Sequence, residues 1–187
     1  MASNKAADGH SRKADSPGPG HIILIGFMGS GKTTIARIIA RREKMTCIDM
    51  DSFIQQEAGM SVAQIFEAEG EEGFRARERA LLAGMRLRGR CILSCGGGVV
   101  LRPQNRRMLR QLGTVVYLKV TAEEAVARIS RPETRPLLNA SVPPAELLEQ
   151  RRALYEEAAD IVFDTGGLAI GQVAHRLTVI LKKRGVL

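Results

Sequence analysis

The segment IILIGFMGSGKTTIARIIA, residues 22–40, constrains the fold more strongly than any other part of the 187-residue chain. Its first five residues are typical of a buried strand, and a glycine-rich turn and a helical run follow. Gly26, Gly31, Lys32 and Thr33 satisfy the pattern G-x-x-x-x-G-K-[ST] in the strand–turn–helix context that gives this pattern its meaning. The glycines let consecutive backbone N–H groups curve around a phosphate, and the helix N-terminus adds positive potential.

This phosphate-binding loop (P-loop) predicts a nucleoside triphosphate site rather than a turn that binds nothing. Lys32 would reach the β- and γ-phosphates, and the hydroxyl of Thr33 would ligate Mg²⁺. The remaining residues of the predicted nucleotide-binding loop are Gly29, Ser30, Gly31 and Thr34.

Strands alternate with helical patterns along the rest of the chain. Strictly alternating βα units predict a five-stranded parallel sheet with helices on both faces, an α/β three-layer fold. Capping boxes are predicted at Ser61 with Gln64 and at Thr121 with Glu124. The predicted strands are Ile22–Gly26, Thr46–Asp49, Cys91–Ser94, Thr114–Val120 and Ile161–Asp164.

Two segments fall outside this alternation. Residues 1–20, MASNKAADGHSRKADSPGPG, have almost no large apolar side chains, so we expect a disordered tail before a single domain at 21–187. Residues 130–144, SRPETRPLLNASVPP, form a polar, proline-rich interruption and are the predicted mobile lid.

The net charge of +8 favours anionic ligands, and the first twenty residues contribute only +1 of it. The basic residues are scattered among acids and aromatic residues are few, so nucleic acid is not an expected partner. No apolar run approaches the ~20 residues of a membrane helix, and we expect no membrane association. Three cysteines without metal or redox spacing predict reduced thiols and a cytoplasmic protein.

Two aspartates mark the end of the second predicted strand, in the sequence CIDMDSF. In doubly wound sheets, ligands bind at the carboxyl ends of the strands. Asp49 could therefore hold Mg²⁺ through water, and Asp51 could orient or deprotonate an acceptor hydroxyl. The alternative for Asp51 is a helix N-cap, a position that aspartate often takes.

Three glycines, Gly96, Gly97 and Gly98, follow the third predicted strand and allow backbone to lie directly against a small ligand. Ser94 stands at the end of that strand, where many P-loop proteins have a metal-binding aspartate, so more of the metal binding would fall to Asp49. The alternative for the glycines is a flexible turn.

Arginines at three separate places, Arg75, Arg135 and Arg151, could hold a carboxylate or phosphate through bidentate hydrogen bonds. Taken singly, each is more often a solvated surface residue.

The combination of GFMGSGKTT, DMD, EGEEGFRARE, SCGGG, RPLL and RRALYEEAAD resembles the shikimate kinase family, in the family's order from about residue 22 to 183. The resemblance implies a fold like that of nucleoside monophosphate kinases and a monomer. It also implies transfer of the ATP γ-phosphate to the 3-hydroxyl of shikimate, a step of chorismate and aromatic amino acid biosynthesis, with Mg²⁺ as cofactor.

The resemblance also implies residue roles. The implied catalytic residues are Asp51, Lys32 and Arg135. Asp51 is the implied base and would contact the shikimate hydroxyls. Asp49 would reach Mg²⁺ through water. By the same resemblance, Arg75 and Arg151 would hold the shikimate carboxylate, and backbone at Gly97 would contact the substrate. Arg135 would close over the transferred phosphate, and Arg128 would lie near the adenine.

One loop departs from the family pattern. After the last strand the chain reads DTGGLAIGQ, where many relatives have arginine or proline against the adenine, so the adenine contacts stay open. Two alternatives also stay open: another small-metabolite kinase of this fold, such as gluconate kinase, and a non-catalytic nucleotide-binding regulatory module.

Overall fold

A computed structural model describes residues 19–128 and 142–187. Five parallel strands form one sheet in the order β2-β3-β1-β4-β5. The strands are β1 (His21–Ile25), β2 (Thr46–Asp49), β3 (Cys91–Ser94), β4 (Gly113–Lys119) and β5 (Ile161–Asp164).

The connections between the strands are helical. Val99–Leu101 forms one 3₁₀ turn. The α-helices of the described residues are α1 (Lys32–Glu43), α2 (Met50–Ala58), α3 (Val62–Met85), α4 (Pro103–Leu112), α5 (Ala122–Ala127), α6 (Pro144–Ala158) and α7 (Ile170–Lys183).

The two faces of the sheet are covered unequally. On one face, buried side chains of β1 and β4 pack against α1 and α7, for example Leu24 and Val116 against Ile35 and Leu177. On the other face, the remaining helices build a larger core. The predicted α/β fold with helices on both faces is confirmed.

The predicted strands are confirmed to within one residue at each end. β1 begins at His21 because its imidazole, completely buried, joins β1 to two neighbours: Nε2 lies 2.9 Å from the carbonyl of Met85, and Nδ1 accepts from the backbone N–H of Cys91. β4 likewise begins one residue early, at Gly113.

The helix starts follow the predicted caps. Ser61 and Gln64 form the predicted capping box of α3. At α5 only half of the predicted box is present: Thr121 accepts from the backbone N–H of Glu124, but the side chain of Glu124 accepts from the backbone N–H of Gly167. Helix α3 is kinked at Gly70, where φ is 68°, so the segments before and after Gly70 do not share one helix axis.

Two sequence-based predictions lie outside the described residues: nearly all of the tail, and most of the lid, including Arg135. The last residue of the predicted lid, Pro144, is the first residue of α6. The three cysteines are free thiols, and burial raises the pKa of Cys91 to about 11. Within the described part of the chain, no helix is long and apolar enough to span a bilayer.

Candidate active site

A cavity of about 800 Å³ lies at the carboxyl ends of the strands. The P-loop forms one wall, and Asp49 and Asp51 form another. Gly96 and Gly97 border it between these walls, and Arg128 with residues 168–170 borders it beside the P-loop. The cavity therefore joins the predicted nucleotide-binding and acceptor-binding residues in one space.

The P-loop has its shape because three of its glycines adopt backbone angles that other residues avoid. Gly26, Gly29 and Gly31 have φ values of 147°, 75° and 86°. A Cβ at Gly29 would lie 2.1 Å from the carbonyl oxygen of Ala125, and one at Gly26 would lie 2.7 Å from that of Leu118. The loop is thus held by backbone packing as well as by its own turn.

Lys32 lies within this loop and is almost completely buried. Its ammonium donates to the carbonyl oxygens of Gly26 and Phe27, both at 2.8 Å, and lies 3.4 Å from the hydroxyl of Ser30. These contacts hold the ammonium inside the loop, where the P-loop pattern places the phosphates of a nucleotide.

Thr33 and Asp49 meet at the ends of α1 and β2. The hydroxyl of Thr33 donates to Oδ2 of Asp49 at 2.7 Å and lies 3.3 Å from the hydroxyl of Ser94. Burial acts to raise the pKa of Asp49, but hydrogen bonds from Thr33, Ser52 and Ser94 outweigh it and lower the pKa. Asp49 is therefore a stable carboxylate surrounded by hydroxyl oxygens.

This donor set fits a magnesium ion, because carboxylate and hydroxyl oxygens with room for waters and phosphates are what Mg²⁺ prefers. No cluster of three or more His, Cys, Asp or Glu side chains suited to a metal occurs among residues 19–128 and 142–187. A metal at Thr33 and Asp49 would thus need oxygens from the nucleotide as well.

The N-cap of α2 is Asp49, not Asp51. Oδ1 of Asp49 accepts from the backbone N–H and the hydroxyl of Ser52, both at 3.0 Å. The alternative of Asp51 as a helix cap is therefore wrong. Asp51 lies in the first turn of α2 and lines the cavity.

The glycine triplet lies directly against charged side chains. A Cβ at Gly96 would be 2.7 Å from Oδ1 of Asp51, and a Cβ at Gly98 would be 2.3 Å from Nη2 of Arg75. A Cβ at Gly97 would meet nothing closer than 3.6 Å. A side chain at Gly96 or Gly98 would therefore have to displace Asp51 or Arg75, which gives two of the three glycines a packing role beyond that of a flexible turn.

Arg75 is buried behind this loop in a cluster of charges on α3. Its guanidinium pairs with Glu71 and with the completely buried Glu78, each at 2.8 Å. Burial raises the pKa of Glu78, Arg75 acts to lower it, and the neighbouring charge of Asp51 raises it further. Arg75 is therefore not a solvated surface residue.

Arg151 on α6 is also buried. Its Nη1 has no hydrogen-bond partner among the residues that the structure describes. Tyr155, one turn further along α6, donates from its hydroxyl to the carbonyl of Gly97 at 2.5 Å and stacks on Tyr117. Helix α6 thus contributes two buried side chains one turn apart: the cation of Arg151, and Tyr155, which is hydrogen-bonded to the glycine triplet.

Arg128 reaches the cavity from the end of α5. Its guanidinium donates to the hydroxyl and the carbonyl of Thr165, at 3.2 and 3.4 Å. Thr165 belongs to the loop DTGGLAIGQ, which departs from the family pattern. Leu168, Ala169 and Ile170 of this loop line the cavity beside the P-loop. Aliphatic side chains therefore form the wall at which an adenine ring would be expected.

Sequence-based reasoning missed Glu71, Glu78 and Tyr155. Their spacing held a signal, since Glu71 and Glu78 lie four residues before and three residues after Arg75, and Tyr155 lies four residues after Arg151. What spacing could not reveal is that Arg75 and Glu78, and Arg151 and Tyr155, are buried, whereas Glu71 is exposed.

The chain resembles known proteins along most of its length. A family model described as shikimate kinase matches residues 28–182. A shikimate kinase from Bordetella pertussis is 45% identical over 159 residues, which span 83% of this chain and 75% of that protein. One from Nitrosospira multiformis is 42% identical over 175 residues, or 92% and 90% of the two chains.

Solved structures agree. A shikimate kinase from Acinetobacter baumannii, in complex with shikimate, superimposes with a TM-score of 0.81 at 37% identity, over 88% of this chain and 94% of that one. A shikimate kinase from Aquifex aeolicus gives a TM-score of 0.76 at 30% identity, over 88% and 98% of the two chains. By sequence and by fold, this chain belongs to the shikimate kinase family.

Proposed function

We propose that this protein transfers the γ-phosphoryl group of ATP to the 3-hydroxyl of shikimate, giving shikimate 3-phosphate and ADP. The observation that carries the proposal is that Lys32 of the P-loop and Asp51 line one cavity. The glycine loop that touches Asp51 also packs against the guanidinium of Arg75. A triphosphate and a hydroxylated carboxylate could therefore meet in the same space.

The nucleotide would bind through the loop from Gly29 to Thr34. The backbone N–H groups at the start of α1 and the ammonium of Lys32 attract the β- and γ-phosphates. Lys32 would exchange its bonds to the carbonyls of Gly26 and Phe27 for phosphate oxygens, which as anions are stronger acceptors.

Mg²⁺, held by Thr33 and by Asp49 through water, would supply positive charge to the phosphates when bound. The lowered pKa of Asp49 keeps this carboxylate ionised at neutral pH.

Shikimate would be held by its carboxylate at Arg75 and Arg151. The buried Nη1 of Arg151 has no acceptor among the described residues, which suits an anion that arrives with the substrate. Arg75 already donates from Nε and Nη2 to Glu71 and from Nη1 to Glu78, so its role requires that the second N–H of Nη1 or of Nη2 reach the substrate. Gly97 would contact the substrate through its backbone.

The transfer step would use Asp51 to align the acceptor hydroxyl and take its proton. The hydroxyl oxygen forms a bond to the γ-phosphorus, the bond from that phosphorus to the β-phosphate bridging oxygen breaks, and ADP leaves. Positioning and positive charge supply most of the rate enhancement in such reactions. Arg135 belongs to the proposal only because the family resemblance implies that it closes over the transferred phosphate.

A coupled ADP-release assay tests the proposal, with Mg²⁺-ATP and with shikimate, gluconate or no acceptor. We expect ADP only with shikimate. ADP with gluconate instead would favour another small-metabolite kinase, and no ADP from folded protein that binds ATP would favour a regulatory module. Omitting Mg²⁺ tests the metal, and light scattering after size-exclusion chromatography tests the predicted monomer.

A matched pair of variants links the assay to the site. Arg75→Ala removes a buried guanidinium, whereas Arg79→Ala removes an exposed one from the next turn of the same helix. We expect only the first to weaken shikimate binding. Equal effects on shikimate and ATP would contradict the carboxylate assignment.

A further inference from the structure

The helices α1 and α7 carry the net charge of the protein. Residues 32–44 and 170–184 contain nine lysines and arginines and one acid, whereas the rest of the chain contains nineteen basic and nineteen acidic residues. One of the nine, Lys32, belongs to the P-loop. The other eight are exposed: Arg37, Arg41, Arg42, Lys44, Arg176, Lys182, Lys183 and Arg184.

Folding brings these eight residues to one side of the molecule. Helices α1 and α7 pack on the same face of the sheet through Ile35, Ile39, Val173 and Leu177. Their C-terminal ends adjoin, because Nζ of Lys182 lies 2.9 Å from Oε1 of Glu43. Glu43 is the acid of these two segments and is neutralised by this pair. We name the outer surface of α1 and α7, with Lys44 and Arg184, the basic face.

A simpler explanation is that basic residues stabilise the C-terminal ends of helices. This effect acts only within the last turn. Arg37 and Arg176 lie in the middle of their helices, and six cations gather at two adjacent helix ends. The charge is thus more extensive than helix capping requires.

The chemistry of the basic face selects among anionic partners. It has no phenylalanine, tyrosine or tryptophan on which successive bases of a single strand could stack, and its one ring is the imidazole of the exposed His175. Val179, at 39%, is its one large apolar residue classed as exposed, so this face has little to insert into a lipid bilayer. Lysine and arginine alone suffice to bind the phosphate backbone of a duplex.

We propose that the basic face binds the phosphate backbone of double-stranded nucleic acid without reading its sequence. None of the eight residues lines the active-site cavity, so a bound duplex leaves that cavity open. Charge that is scattered along the sequence is assembled by the packing of α1 on α7.

The test is the fluorescence anisotropy of a labelled 20-base-pair duplex, as DNA and as RNA, titrated with the full chain at several salt concentrations. The variant Arg41→Gln/Arg42→Gln/Lys183→Gln changes only exposed side chains of the basic face. We expect binding that weakens steeply with salt, and a loss of about tenfold or more in the variant, with a salt slope flatter by about 2 to 3.

The matched control is Arg79→Gln/Arg86→Gln/Arg107→Gln, which removes the same charge from exposed positions on the other side of the sheet. We expect its affinity to change by less than about twofold. Equal losses in the two variants would overturn the proposal, since only the net charge would then matter. Tighter binding to a single strand, or binding to phosphatidylglycerol vesicles but not to the duplex, would also overturn it.

Kinase activity is measured alongside. We expect both triple variants to retain it, with and without saturating duplex, because the eight residues lie outside the catalytic machinery. The two proposals can therefore fail separately. Failure to bind the duplex would not contradict the proposed phosphoryl transfer, and a lack of kinase activity would not contradict the proposed binding of duplex by the basic face.

Discussion

The two halves of the active site are built in different ways. The nucleotide half is one continuous loop, in which backbone conformation and three glycines at positive φ make the site. The acceptor half takes side chains from α2, α3 and α6, joined by the glycine triplet after β3. The nucleotide half depends on local backbone geometry. The acceptor half depends on buried charged side chains that only the folded protein brings into contact.

This difference predicts how each half fails. Changes in the acceptor half should affect shikimate and the transfer step while ATP binding persists. Changes in the P-loop should affect ATP first.

The largest effect is expected from Asp51→Asn. Loss of the carboxylate should lower kcat by about a hundredfold or more, the usual range for a general base. ATP affinity, measured by fluorescence titration, should stay within a few-fold because the P-loop is unchanged. Lys32→Ala is the contrasting variant, and a loss of ATP affinity in Asp51→Asn as large as in Lys32→Ala would erase the separation of the two halves.

The next effect is expected from Arg75. Arg75→Lys keeps a positive charge beside Glu78 but loses the bidentate fork, and it should raise the KM for shikimate about tenfold with little change for ATP. Arg75→Ala should also lower the free energy of unfolding by about 3 kcal/mol, because Glu78 would remain buried without its partner. Thermal melting separates the two effects, and an unchanged melting temperature in Arg75→Ala would contradict the buried pair.

A smaller effect should distinguish two glycines of the triplet. Gly98→Ala places a methyl group 2.3 Å from Nη2 of Arg75, so it should displace the guanidinium and cost about 1–3 kcal/mol of stability. Gly97→Ala meets nothing within 3.6 Å and should leave the melting temperature nearly unchanged. Equal destabilisation by the two substitutions would show that the loop, rather than its contact with Arg75, sets the requirement.

The smallest effect concerns pH. Hydrogen bonds from Thr33, Ser52 and Ser94 overcome the effect of burial and lower the pKa of Asp49. A lowered folded-state pKa contributes stability above the unfolded value of 3.8, and this stability is lost as the pH falls through the folded pKa. Denaturant unfolding between pH 6 and pH 3 should therefore show a shallower loss of stability in Asp49→Asn than in the unchanged protein. Parallel curves would mean that Asp49 gains nothing from its hydroxyl neighbours.

Much of the fold could be predicted because its signals are local. Alternating strand and helix patterns, the capping box at Ser61 and the P-loop spacing each involve neighbouring residues. The two aspartates show the limit of such reasoning. Aspartate at a helix start suggests a cap, but whether Asp49 or Asp51 takes it depends on where β2 ends and α2 begins.

The sequence alone determined which segments form strands, where the phosphate-binding loop lies, and which residue types the acceptor half contains. These features could be predicted because the spacing of apolar residues and the placement of glycines act over a few neighbouring residues. Only the tertiary structure decided which charges are buried together. Arg75 pairs with Glu78 against Gly98, and the cations of α1 and α7 share one surface. Such contacts depend on packing between segments that are distant in the sequence. Electrostatic energies depend on how deeply charges are buried and how far apart they lie, and the spacing of residues along the sequence gives neither quantity.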